Sequence, residues 1–162
     1  MVTPPTPPPS TRVFMGGQTY HESLAGAPVS ATMRSMTIRL DHTIVPAKDK
    51  IAAAQFFAEI FGLKVKPGRG YFAQVQVNES LTFDFADEPE PSADGHHYAF
   101  HVSDAEFEGI WSRVKARLIP YGSEPGEHTN GRIYTRRGGR GFYFEDPNDH
   151  LLEVMTVQET GS

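Results

Sequence analysis

The chain has 162 residues, 38% of them apolar, no cysteine and a formal net charge of −5. That length supports one domain with a substantial core; the missing cysteines exclude disulfides, thiolate chemistry and Cys-type zinc sites, and the charge leaves no basic patch for nucleic acid or a membrane. No apolar run reaches the length of a membrane-spanning helix and MVTPPTPPPS lacks the apolar core of a signal peptide, so the expectation is a soluble, cytoplasmic protein.

Residues 1–35 are rich in Pro, Ser, Thr, Gly and Ala and show no periodicity, which predicts a flexible N-terminal tail. From residue 36 the pattern becomes globular, and a single domain is expected over 36–158. Met36–Val45 alternates like a strand. Asp49–Phe61 follows as a helix, with Ala54, Phe57, Ala58 and Phe61 at the spacing of a buried stripe and Gly62 at the C-cap position. Leu63–Lys66, Tyr71–Val77 and Leu81–Ala86 are three further strand candidates, and Asn78-Glu79 opens a tight turn between the last two.

The second half repeats this order. Strand His96–Val102 leads into a helix opened by Ser103-Asp104-Ala105-Glu106, the pattern of a capping box. Phe107, Ile110, Trp111 and Val114 repeat the earlier stripe at a constant offset of 53 residues. Tyr121–Glu124, Gly141–Glu145 and Leu151–Val157 are the remaining strand candidates, with a turn at Asp146-Pro147-Asn148-Asp149. The fold class is therefore α+β: two βαβββ units, at 36–87 and 95–158, with Pro120–Gly139 read as a longer Gly- and Arg-rich loop.

Three of the seven histidines fall in GHHYAFHV, residues 95–102. On a strand His97, Ala99 and His101 share one face and His96 takes the other. His97 and His101 are then about 13 Å apart at roughly 3.3 Å per residue, too far to share an ion whose ligand bonds are about 2 Å long. The repeat pairs His97 instead with His42, 55 residues earlier, and pairs Asp84 with Glu153 in the closing strands. His96 and His101 read as strand and rim residues.

LDHTIV with the helix AAQFFAEIFGL, then HHYAFHV, then GFYFEDPNDHLLEVMT resemble the vicinal oxygen chelate superfamily over about residues 36–158. That superfamily includes glyoxalase I, fosfomycin- and bleomycin-resistance proteins and extradiol dioxygenases. The resemblance implies two βαβββ units forming a cupped mixed sheet around a divalent metal, with His42, His97 and Glu153 as ligands and Asp84 as a fourth ligand or a base. It further implies a homodimer, since the two halves of such a site often come from different subunits. Zn, Ni, Mn, Co or Fe(II) all suit such a donor set. Asp149 stands where a glycine is common in this turn, a change that Asp tolerates because it enters the left-handed region readily.

The activity this implies is metal-dependent chemistry of the glyoxalase, isomerase or lyase kind on a small oxygen-rich substrate, with Glu153 or Asp84 moving a proton. The alternatives are an Fe(II) dioxygenase on the same His/His/Glu set and a binding protein that sequesters a drug without catalysis. Four arginines between Arg132 and Arg140 suit an anionic substrate, although a solvated loop is the simpler reading.

Overall fold

The two helices form where the stripes and caps place them. A computed structural model describes residues 38–67, 70–89 and 95–157; the expected tail at 1–35 lies outside them. Helix α1 (Lys50–Phe61) starts at Asp49, whose carboxylate accepts from the Ile51 and Ala52 amides at 2.9 and 3.0 Å, satisfying donors that have no partner within the helix. It stops at Gly62, which takes a left-handed φ of 72°. Helix α2 (Asp104–Ala116) carries the full capping box: Ser103 accepts from the Glu106 amide while Glu106 accepts from the Ser103 amide at 2.8 Å. Its far end closes without glycine, and Leu118 sits there exposed at a φ of 56°.

Each helix covers a sheet. In the first repeat β1 (His42–Ala47), β2 (Ala73–Gln76) and β3 (Thr82–Asp87) are ordered β1-β3-β2, with β1 parallel to β3. The second repeat builds the same arrangement from β4 (His97–His101), β5 (Tyr121–Gly122), β6 (Tyr134–Arg136), β7 (Gly139–Glu145) and β8 (Leu151–Met155). Its order is β4-β8-β7-β5, with β6 added onto β7. In both, the helix is the crossover that lets the leading strand lie parallel to the closing one. The mixed α+β class expected from the sequence is what the chain adopts.

Two expected segments differ. The strand expected over Leu63–Lys66 shrinks to one bridge between Val65 and Val75, because lysines flank Val65 and Pro67 ends any further pairing. Conversely, the Gly/Arg-rich segment read as loop contains β6 and the start of β7. Arg137 (φ 49°) and Gly138 (φ 81°) form a two-residue turn with both residues left-handed, the geometry that closes a tight hairpin. The turn expected at Asn78-Glu79 is present, with Asn78 Oδ1 accepting from the Ser80 amide at 2.9 Å.

A single apolar cluster joins the two repeats. Phe57 of α1 packs on Phe83 and Phe85 of its own sheet and on Phe100 of β4, with ring centroids 5.1 to 5.8 Å apart. Phe107 meets Phe142 edge-on at 5.3 Å. Each fully buried ring removes enough apolar surface from water to favour folding by about 2 kcal/mol or more. Across the helix pair, Arg113 Nε donates to the Ile60 carbonyl at 2.7 Å.

A polar joint lies at one end of this core. His150, 1% exposed, accepts the His96 amide on Nδ1 at 2.9 Å and donates from Nε2 to the Pro46 carbonyl at 2.8 Å. One imidazole thus satisfies the end of β1 and the approach to β4, in a single tautomer. Asn148 adds an acceptor for the Lys48 amide at 2.9 Å. Asp146 holds the turn by accepting from the Asn148 and His150 amides, and Asp149 takes a φ of 65°. The segment read only as a turn is also the bracket between the repeats.

Candidate metal centre

Strand alternation turns His42 and Asp84 away from α1, since Val45, Ala47, Phe83 and Phe85 occupy the buried face. The same logic turns His97, Ala99 and His101 away from the core, along with Glu153 and Tyr143. The registers of the two repeats coincide. Asp84 lies opposite Ile44, two residues beyond His42, and Glu153 lies opposite Ala99, two residues beyond His97. On its other side Asp84 faces Gln74, and Glu153 faces Tyr143.

What differs is where the side chains go. Glu153 is buried, 7% exposed, and its Oε2 comes within 3.3 Å of His97 Nε2. Its Oε1 accepts the Tyr134 hydroxyl at 2.6 Å, and Tyr143 lies directly across from it on β7. Burial first, and then the bond to Glu153, raise the pKa of both tyrosines, so both remain neutral donors. A buried carboxylate would otherwise be expensive; here donors surround it.

In the first repeat Asp84, 6% exposed, accepts Gln74 Nε2 at 2.8 Å. His42 is exposed and its Nδ1 lies 2.8 Å from Asp41, a bond that raises the imidazole pKa. Asp is one methylene shorter than Glu, and its nearest donor is the cross-strand amide. The sequence-derived set therefore separates into two groups in one chain: His97 with Glu153, and His42 with Asp84 nearby. Among the described residues no three His, Asp or Glu side chains of the chain come together. An imidazole nitrogen beside an anionic oxygen, without sulfur, has the donor chemistry that Mn, Fe(II), Co, Ni or Zn accepts.

His96 and His101 stand apart from the carboxylates. His96 Nδ1 lies 2.8 Å from the Tyr98 hydroxyl, and Tyr98 is pushed up to about 12, chiefly by burial. His101 is exposed and borders, with His97, a cleft of about 550 Å³ between β4 and the Leu40, Leu63, Val77 and Leu81 side chains. That cleft is largely apolar, and neither Glu153 nor Asp84 lines it.

Sequence reasoning missed Tyr134, Tyr143 as a partner of Glu153, and His150. A signal existed for the first: Ile133-Tyr134-Thr135-Arg136 alternates like a strand, but the neighbouring Gly and Arg residues obscured it.

This fold and donor arrangement place the chain in a known group. It belongs to the Glyoxalase/Bleomycin resistance protein/Dioxygenase superfamily, whose family model matches residues 39–154. Among solved structures it is similar to Oxidase ChaP-H2, with 41% identity over 78% of this chain and 100% of that chain, at a TM-score of 0.72. Oxidase ChaP-H1 is 42% identical over 76% of this chain and 99% of that one, at a TM-score of 0.71. The fosfomycin resistance protein FosX from Listeria monocytogenes, complexed with Mn(II) and sulfate, shares the fold at 21% identity and a TM-score of 0.59, covering 76% of this chain and 94% of that chain. No curated protein matches the chain. Among the described residues no helix is long and apolar enough to cross a membrane.

Proposed function

We propose that this chain is a divalent-metal-dependent oxidase acting on a small oxygen-rich substrate, with its centre completed between two copies. The observation that carries the reading is the 3.3 Å approach of His97 Nε2 to the buried Glu153 carboxylate on a sheet face turned away from the core. The likeness to two proteins named oxidases, at 41% and 42% identity, favours oxidation over the isomerase and lyase chemistry also expected from the sequence. In this reading His97 and Glu153 of one copy and His42 of another hold the ion, which when bound supplies Lewis acidity and, as Fe(II), Mn or Co, redox capacity.

The second copy is invoked for physical reasons. Among the described residues β1 and β4 each have a strand neighbour on one side only, and unpaired edges invite pairing. Ile38, Leu40 and Ile44, alternate residues leading into and along β1, are 84%, 64% and 51% exposed. A strand face that is apolar and uncovered fits a partner better than solvent. Arg136, 5.1 Å from the Tyr134 ring centroid, stands beside the Glu153 cluster and supports an anionic substrate. Asp84 carries one further reading: with Oδ1 bonded to Gln74, its second oxygen would serve as the proton acceptor of isomerase or lyase chemistry.

The test combines metal analysis with subunit mixing. Protein purified without chelator should contain a divalent metal, and His97→Ala should lose it. Mixing inactive His42→Ala and His97→Ala proteins under conditions of subunit exchange should restore about a quarter of wild-type activity, because half the dimers would then carry one intact site. No restoration would reject the shared centre. Oxygen consumption with phenolic substrates separates the oxidase from the proton-transfer reading.

A further inference from the structure

We infer that Tyr134, carried on the β6–β7 hairpin, is a positioning residue that fixes Glu153 for metal binding. The inference rests on the metal-centre reading above and goes beyond it by giving a role to a side chain outside the donor set. Three observations converge. The Tyr134 hydroxyl donates to Glu153 Oε1 at 2.6 Å, a short charge-assisted bond, while Oε2 is the oxygen that faces His97. The two carboxylate oxygens therefore have separate partners: one is held, and the other is presented beside the imidazole.

The hairpin is also built to put the tyrosine there. Its register pairs Tyr134 with Gly141, Thr135 with Arg140 and Arg136 with Gly139. Any side chain at Gly141 would collide with the ring, since a Cβ there would lie 2.2 Å from Tyr134 Cζ. The absence of that side chain lets the tyrosine lie flat across β7 and reach β8. A one-residue slip of register would turn Tyr134 to the opposite face, and the two left-handed turn residues, Arg137 and Gly138, hold the pairing in place.

Finally, among the described residues the first repeat has no equivalent hairpin, and its carboxylate, Asp84, is held by Gln74 and makes no ion pair with His42. Tyrosine is suited to the role because it donates one hydrogen bond without adding charge, leaving the anionic character of the carboxylate available to a cation.

The experiment is a titration of metal-free full-length protein with Mn(II) and Co(II), following affinity by calorimetry and the visible absorption of the cobalt form. Tyr134→Phe keeps the ring and removes only the hydroxyl. It should weaken metal binding about 10- to 100-fold and change the cobalt spectrum while leaving the far-UV circular dichroism as in the wild type. Gly141→Ala, which displaces the ring but retains the hydroxyl, should weaken binding in the same direction. If Tyr134→Phe binds both metals with wild-type affinity and an unchanged cobalt spectrum while Glu153→Ala and His97→Ala lose binding, Tyr134 is merely a structural neighbour and the inference is overturned. If Glu153→Ala and His97→Ala also bind as the wild type does, the metal-centre reading itself fails and takes this role with it.

Discussion

The two repeats present the same backbone and different chemistry. In each, the histidine heads the leading strand, and the acid sits on the closing strand opposite the position two residues on, with a polar cross-strand neighbour beside it. Only the second repeat brings histidine and acid together. The extra methylene of Glu153 lets its carboxylate extend to His97, while Tyr134 holds it. Asp84 is drawn to Gln74, and His42 turns to its exposed neighbour Asp41. Duplication of a fold thus reproduces positions, but side-chain length and one added hairpin decide which positions meet.

Beyond Tyr134→Phe, four substitutions probe this comparison, in falling order of expected effect. His150→Ala attacks what the repeats share, by leaving the His96 amide and the Pro46 carbonyl without a partner; it should cost about 2 kcal/mol in denaturant unfolding. A stability equal to the wild type's would show that the His150 bonds add nothing to the joining of the repeats. Glu153→Asp makes the second repeat resemble the first. With the shorter acid, Mn(II) affinity should drop about tenfold by calorimetry, on the scale of displaced ligand-orienting contacts; unchanged affinity would remove side-chain length as the explanation.

The helix caps give two finer contrasts. Ser103→Ala breaks the capping box of α2 and should cost about 1 kcal/mol at neutral pH. Ser103 also holds the Glu106 pKa below its ordinary value of 4.5. A lowered carboxylate contributes stability above its unfolded pKa and loses it as pH falls through the folded one. The gap between Ser103→Ala and wild type should therefore narrow as the pH drops below 4.5, which thermal melts across that range would detect. The smallest effect is expected where α1 ends on Gly62 and α2 is followed by Leu118, exposed at a φ of 56°. Leu118→Gly relieves that backbone and should raise stability by less than about 1 kcal/mol, seen as a small increase in the urea midpoint.

Much of this was legible in the residues because it is written in local periodicity. The stripes at Ala54/Phe57/Ala58 and Phe107/Ile110/Val114 place both helices and their buried faces. Alternation places His42 and His97 on open sheet faces at matching points, and Ser103 with Glu106 announces its own cap. The hairpin at Tyr134–Glu145 was hidden because its register comes from two left-handed turn residues and a missing side chain at Gly141, neither of which changes hydrophobic pattern. His150 was hidden because its partners, Pro46 and His96, lie 104 and 54 residues away.

By itself, then, the sequence determined a duplicated frame of leading strand, helix and sheet, its caps, its core stripes and the two His–acid positions it repeats. Those follow from interactions within a few residues, which leave a periodic trace. Only the tertiary structure decided that Glu153 reaches His97 while Asp84 turns to Gln74, that Tyr134 crosses β7 to hold the carboxylate, and that His150 ties the repeats together. Each of these depends on distances of a few ångströms between strands far apart in the chain, and such distances are set by packing and register rather than by local pattern.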